Sequence, residues 1–394
     1  MKQFRIILAM LLLFAVMLPL ASCGSSEPAP EVEAEAEGED KNEVAAPVVE
    51  TPDMPVEEYS MEALKGRIKL LGERTGYNGS GELMAEWAGS GFEINVNVGE
   101  EGTDLVLGFR SNYAARWKVY VDGEQYGDRI ATKTGNRKQI IARAIPAGEH
   151  TIRLVKDTEP ATNRNNYNSL LSFSFNGEIM TPPEDKPLYL EFIGDGYMTG
   201  FCNLGESSTT AKNKVPDVSS VTEALPYLTS LAMDADYSIV AHSKIGLKTE
   251  AGVYNMAELY NNQYAYRELD KTYKPDRTPD AIVIHFGMDD TIDALPMGKW
   301  LVAASQYIET LRGYYNNEKI PVIWIYNTRF HTKRAGEIQS LARYMGEGCN
   351  VYALEGYFGT NGGGTVECGV FPNAQEHQKT TDLLVPMLKD ILKK

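Results

Sequence analysis

The sequence is poor in the residues that reactive centres use. It has 5 histidines and 4 cysteines in 394 residues. Cys23, Cys202, Cys349 and Cys368 make no CxxC pair and no Cys/His cluster, which argues against a structural zinc site. Neither a metal nor a cofactor is expected. Positive charge is also scarce, with 38 Lys and Arg against 54 Asp and Glu. Binding to nucleic acid needs clustered Lys and Arg to neutralise phosphates, so that class is excluded. The apolar run at 6–20 is short for a membrane span.

What is present falls into four segments. Residues 1–23 have a positive start (Lys2, Arg5), the apolar run, and then LASC ending at Cys23. This is the pattern of a secretory signal, and the small residues before a cysteine resemble a bacterial lipobox. Cleavage before Cys23 and diacylglyceryl attachment to its thiol would anchor the chain on the cell surface, since two acyl chains hold stably where one does not. Residues 24–62 read as an acidic Pro/Ala/Glu linker. Between 27 and 58 Lys41 is the only base. Such a stretch buries too little apolar surface to offset its ordering entropy, and like charges extend it.

Residues 63–183 have a β pattern. GFEINVNV, DLVLGF, RWKVYVDGEQ, KQIIARAI, HTIRLVKD and LLSFSFNGE are short apolar or alternating runs separated by Gly, Asn and Asp. They predict an all-β, jelly-roll-like sandwich. Asp122-Gly123 is a tight-turn signal. Trp117 and Tyr120 alternate within RWKVYV and are expected in core or interdomain packing. In 184–394 the apolar strands LYLEFIG, DYSIVAHS, DAIVIHFG, IPVIWIYN and CNVYALEG alternate with amphipathic segments, the last of which contains Pro386. That alternation predicts a parallel α/β sheet, with a ligand site outside the carboxyl ends of its strands. The Tyr-rich stretch 260–277 reads as a long solvated loop or a partner-binding surface.

At that carboxyl edge lies EFIGDGYMTG, residues 191–200: a strand, then Gly-Asp, then a turn. A β-sandwich followed by such a strand resembles carbohydrate esterase family two. These are two-domain SGNH (GDSL) hydrolases that remove acetyl groups from sugars. The resemblance rests on VYVDG, PAGEHTIRLVKDTEP and FSFNGE in front, and on LEFIGDGYMTGF, TPDAIVIHFGMDD and FPNAQEHQK behind. It implies a flavodoxin-like α/β/α hydrolase domain after the sandwich. It also implies a serine nucleophile, a histidine base, and an oxyanion hole with a glycine N–H and an asparagine.

Carried over one at a time, those functional positions fall on other residues. The serine falls on Gly196. The oxyanion glycine falls on Lys244, in a register that Gly246 makes the least firm. The asparagine falls on Asp289, a carboxylate that accepts where an amide would donate. The histidine falls on Phe371, and its orienting carboxylate on Cys368 or Gly369. Loss of nucleophile or base alone largely abolishes such catalysis.

The resemblance therefore implies an esterase framework without its reaction, and a surface-anchored glycan-binding protein. The candidate pocket comprises Asp195, Gly196, Tyr197, Lys244, Asp289 and Phe371. An ester hydrolase with relocated groups and a structural or partner-binding envelope protein are the alternatives. For the former, His242 with Ser243, Ser207 or Ser208 is a conceivable pair. His377 is expected to be structural, as the family has a histidine there too, and His285 is expected to face the core or a helix. Asp195 and Asp290 match ordinary family aspartates. Cys202 and Cys368 flank positions that meet in the family's active site and are candidates for a disulfide. Cys349 with Cys368 is the rival pairing.

Overall fold

A computed structural model describes residues 52–132, 134–161, 167–205, 215–243, 245–247, 255–265, 272–286, 296, 298–328, 334–358 and 371–394. The chain divides into two units, Met1–Ala45 and Ala46–Lys394, and every described residue belongs to the second. The proposed lipobox and most of the acidic segment lie outside the described residues.

The front of the second unit is built from β1 (Glu57–Ser60), β2 (Lys69–Leu71), β3 (Gly76–Tyr77), β4 (Leu83–Met84), β5 (Gly91–Val98), β6 (Thr103–Ser111), β7 (Arg116–Val121), β8 (Glu124–Gln125), β9 (Ile130–Ala131), β10 (Gly135–Ile145), β11 (Gly148–Lys156), β12 (Asn168–Phe175) and β13 (Gly177–Ile179). They form two antiparallel sheets. One has the order β10-β6-β12-β4-β3 with β1 on β12. The other has the order β13-β5-β11-β7-β8 with β2 on β5 and β9 on β7.

Alternation in GFEINVNV sends Phe92, Ile94, Val96 and Val98 into the space between the sheets. There Phe92 meets Phe173 of the opposite sheet edge-on, with centroids 5.5 Å apart. Asp122 and Gly123 form the two-residue turn between β7 and β8, both at positive φ (53° and 88°), as a right-twisted hairpin requires. Trp117 is a fully buried member of the sandwich core. The end of the expected linker is ordered, which corrects the 24–62 boundary. Glu57–Ser60 pairs with β12, Tyr59 stacks on Phe175, and Met61 is buried. Two apolar anchors within an acidic stretch suffice, and averaged composition conceals them.

The back of the unit is a five-stranded parallel sheet of β14 (Leu188–Gly194), β15 (Ala235–Ala241), β16 (Ala281–His285), β17 (Val322–Tyr326) and β18 (Val351–Glu355), in the order β15-β14-β16-β17-β18. The helices described are α1 (Gly196–Thr199), α2 (Val215–Val218), α3 (Leu225–Ala232), α4 (Met256–Tyr260), α5 (Lys299–Tyr314), α6 (Ala335–Met345) and α7 (Ala374–Leu392). The sheet is buried on both faces, each carrying its own apolar core. This is why its strands read as continuous rather than alternating apolar runs. The strand order reverses direction at β14, so the flavodoxin-like switch point lies just past Gly194. The sequence pattern gave no element at α3. Its Pro226 reads as a breaker, yet it sits in the first turn, where proline is tolerated.

The two halves share buried surface. Leu71, Ala88, Val155 and Tyr120 of the sandwich join one α/β core, and Tyr120 stacks on Tyr227. Arg74 leaves the sandwich and enters a box in the α/β half. Its guanidinium lies 4.1 Å from the ring centre of Tyr273, 4.7 Å from that of Tyr260 and 5.9 Å from that of Trp87. It donates to Asn262 O at 2.8 Å and faces Glu191 at 3.8 Å. Glu191 accepts the hydroxyls of Tyr260 and Tyr315. The tyrosines of that stretch among the described residues are thus interface: Tyr260, Tyr264 and Tyr273 are all buried. The solvated-loop expectation fails because a buried guanidinium demands aromatic faces and a counter-ion.

Candidate functional site

β14 ends at Gly194 and the chain turns at once into α1. Asp195 is the N-cap. Its carboxylate accepts the Tyr197 N–H at 3.0 Å, closing the turn in the way short acidic caps do. The same Oδ1 receives Nδ1–H of His285 at 2.7 Å. Burial holds the His285 imidazole down to about 3, so it stays neutral and donates. Asp195 is therefore a buried structural cap rather than a group aimed at ligand, which corrects its place in the candidate pocket. Tyr197 is corrected in the same way. Its ring stacks with those of His285 and Phe358, with centroids 4.3 Å and 4.7 Å away, and its hydroxyl donates to Thr380 at 2.9 Å.

Gly196 opens α1 at the switch point. A Cβ placed on it would lie 2.7 Å from Cε1 of Phe371 and 3.1 Å from both Cζ of Phe371 and Cβ of Phe201. The space that a side chain at 196 would enter is therefore filled by the Phe371 ring. Phe371 in turn packs on Phe201 with centroids 4.8 Å apart, among Cys202, Val215 and Val218. This edge of the switch point is apolar, with Phe371 half-buried. Lys244, Asp289 and Asp290 lie outside the described residues, as do Ser207, Ser208 and Cys368. Cys202 is disulfide-bonded and Cys349 is a free thiol. The Cys349–Cys368 pairing is thus overturned; Cys349 instead donates to Ala342 O beside α6.

The other histidines do not assemble a dyad among the described residues. His242 directs Nδ1 to the carbonyl of Ser243, not to its hydroxyl. That hydroxyl is held by Glu159 at 2.8 Å. His377 accepts the Leu225 N–H on Nδ1 at 3.3 Å, so it caps α3 from α7, and burial again holds it down to about 3. Its reading as structural stands. The neutral tautomer has Nε2–H, which meets no acceptor among the described residues.

Sequence reasoning missed what the sandwich contributes here. KDTE, 156–159, follows β11 and reaches across to the α/β half. Asp157 accepts from Ser220 Oγ, Thr222 Oγ and Thr222 N–H, and pairs with Arg129 at 2.7 Å. Glu159 accepts from Thr199 of α1 and from the backbone and side chain of Ser243. Lys156 holds the segment from below, donating to the carbonyls of Glu86, Thr158 and Glu159. The one available signal was a cluster of four polar residues ending an apolar strand.

Comparison with known proteins places this geometry. Residues 72–183 match the family model for the carbohydrate esterase 2 N-terminal domain. An acetylxylan esterase / glucomannan deacetylase of Cellvibrio japonicus (strain Ueda107) is 25% identical over 271 residues, covering 62% of this chain and 71% of that protein. A family two carbohydrate esterase from Clostridium thermocellum, solved with cellohexaose, superposes with a TM-score of 0.69 at 20% identity, covering 83% of this chain and 99% of the other. A further carbohydrate esterase, whose active site is described as having divergent catalytic and non-catalytic binding functions, superposes at 0.63 with 19% identity, over 87% of this chain and 100% of the other.

Proposed function

We propose that this chain is of the carbohydrate esterase family two type, which its front half matches and its fold resembles, and that it binds glycan without cleaving acetyl esters. The observation that carries this reading is the Phe371 ring lying where a side chain at Gly196 would stand. An ester carbonyl has no nucleophile to meet there. Among the described residues no serine hydroxyl is paired with a histidine nitrogen. The Ser243 hydroxyl, the nearest alternative, donates to a carboxylate and is buried. Polarity supports the reading too. With the Asp195–His285 pair buried, the half-buried Phe371 ring, backed by the buried Phe201, is the aromatic surface at this edge, and such a ring suits the C–H face of a sugar. The structural relative described as having divergent catalytic and non-catalytic binding functions supports a binding role for this framework beside its catalytic one. Anchoring through a lipidated Cys23, on the outer side of a bacterial membrane, belongs to the same proposal. It would hold the binding face against extracellular polysaccharide.

The test pairs two measurements on the purified chain. Acetate release from acetylated xylan and from an aryl acetate should stay at the no-protein level, while an active family member turns both over. Binding to xylan or glucan, followed by affinity electrophoresis, should be present and should weaken in Phe371→Ala. Turnover abolished by a serine-directed reagent would overturn the proposal.

A further inference from the structure

A groove of about 470 Å³ lies on the seam between the two halves, a size that accommodates a small ligand or a stretch of polymer. Arg116 and Lys118 of β7, Gln125 of β8 and the following Asp128 and Arg129 form its sandwich wall. Leu204, Asp217 and Glu223 form the α/β wall. The groove is one turn of chain from the Phe201–Phe371 pair. Leu204 follows Phe201 in the same loop, and its N–H donates to Val218 O, a residue packed on Phe201 and Phe371.

The polar groups of this groove are fixed in place but not used up. Arg116 Nε donates to Asp217 at 2.9 Å, Lys118 to Glu223 at 3.0 Å, and Arg129 to the Asp217 carbonyl at 3.0 Å. These bonds cross the seam and pre-order long side chains, which lowers the entropy cost of ligand binding. Among the described residues each carboxylate engages through a single oxygen, Asp217 through Oδ1 and Glu223 through Oε1. Its second oxygen is left for a ligand, as are two of the three Lys118 N–H bonds. Gln125 uses its amide nitrogen on Gly127 O, which leaves its carbonyl oxygen. Leu204 adds an apolar contact, being 43% exposed.

Charge selects the class of ligand. The three cations Arg116, Lys118 and Arg129 face the three carboxylates Asp128, Asp217 and Glu223, so the wall carries no net charge. A polyanionic chain would meet as much repulsion as attraction. Vicinal hydroxyls, which donate and accept at once, match interleaved acceptors and donors. We propose that this seam groove is a second subsite for a neutral polysaccharide chain, continuing the path that starts at Phe371. The proposal rests on the glycan-binding reading and adds the location and polarity of the extended site. It assigns the sandwich a share in ligand contact, and it makes affinity depend on chain length.

The experiment measures, by calorimetry on the full chain, binding of neutral β-linked disaccharide and hexasaccharide, with polygalacturonate as an anionic control. Variants are Asp217→Ala and Leu204→Ser at exposed positions and Glu223→Ala at a half-buried one, together with Phe371→Ala. Groove variants should weaken the hexasaccharide about tenfold, the equivalent of one or two lost hydrogen bonds, and leave the disaccharide unchanged. Equal binding of both lengths, indifferent to all three groove variants but lost in Phe371→Ala, overturns the groove and spares the glycan-binding reading. Loss in the groove variants alone supports the groove and removes Phe371 from contact. Preference for polygalacturonate overturns the neutral class. Absence of binding to every neutral glycan overturns both readings.

Discussion

At the scale of single residues, the contact between Gly196 and Phe371 makes a sharp prediction. Gly196→Ala forces a methyl group against a ring edge 2.7 Å away, and overpacking of this kind costs about 1–3 kcal/mol. The cost should largely vanish in a Phe371→Ala background, and a urea-unfolding double-mutant cycle reads the difference. Additive effects would mean the ring does not fill that space. Buried titratable groups give a second prediction. His285 and His377 ionise near 3 in the folded chain against 6.5 unfolded. The folded state therefore binds fewer protons between these values, and stability falls as pH drops from 6.5 towards 3. Lys156 is pushed down from 10.5 to about 7 by burial, with Glu86 and Glu159 opposing. Its contribution runs upward: the unfolded chain holds the extra proton, so stability from this group grows as pH rises from 7 to 10.5. Thermal melts across both windows check the two limbs, and a flat profile from 6.5 down to 5 would contradict the buried neutral imidazoles.

At the scale of elements, the joint between sandwich and α/β domain depends on a few buried polar devices. Arg74→Ala strips the Tyr box of its cation and leaves Glu191 facing two hydroxyls in a dry core, where burial already raises its pKa. Loss of one partner from such a pair costs about 3–5 kcal/mol. Replacing both partners, as in Arg74→Met with Glu191→Met, should cost less, because no orphan charge remains. Chemical denaturation of the three proteins measures this, and equal losses for single and double variants would refute the pairing. None of this was legible beforehand. Arg74 sits in GERTGY, a stretch with no period, and its partners other than Trp87 stand more than a hundred residues further along the chain. The strands, by contrast, announced themselves. Alternation in β5 and unbroken apolar runs in β14, β16 and β17 follow directly from burial on one face or two.

For the whole molecule, the proposal joins a lipid anchor, an acidic segment and a two-domain binding body. In cells, the full chain should partition into the detergent phase with the membrane fraction, and Cys23→Ser should move it to the aqueous phase, since the acyl chains supply the membrane affinity. Retention of the serine variant in the detergent phase would remove Cys23 as the anchor. The acidic segment should keep the body away from the bilayer at low salt, because like charges repel over a Debye length.

The sequence by itself determined the two kinds of sheet, their order along the chain, and the position of the turn after β14. These follow from local periodicity and from the Gly-Asp that ends the strand, both set by short-range physics. It also pointed to residue 371 as a phenylalanine where the resemblance implied a histidine. Only the tertiary structure decided that this ring lies over Gly196, that Asp195 and Tyr197 are inside rather than on a pocket wall, and that Arg129, Asp157 and Glu159 tie the halves together. Each depends on side chains brought together from distant segments, and neither composition nor spacing encodes which buried groups will find one another.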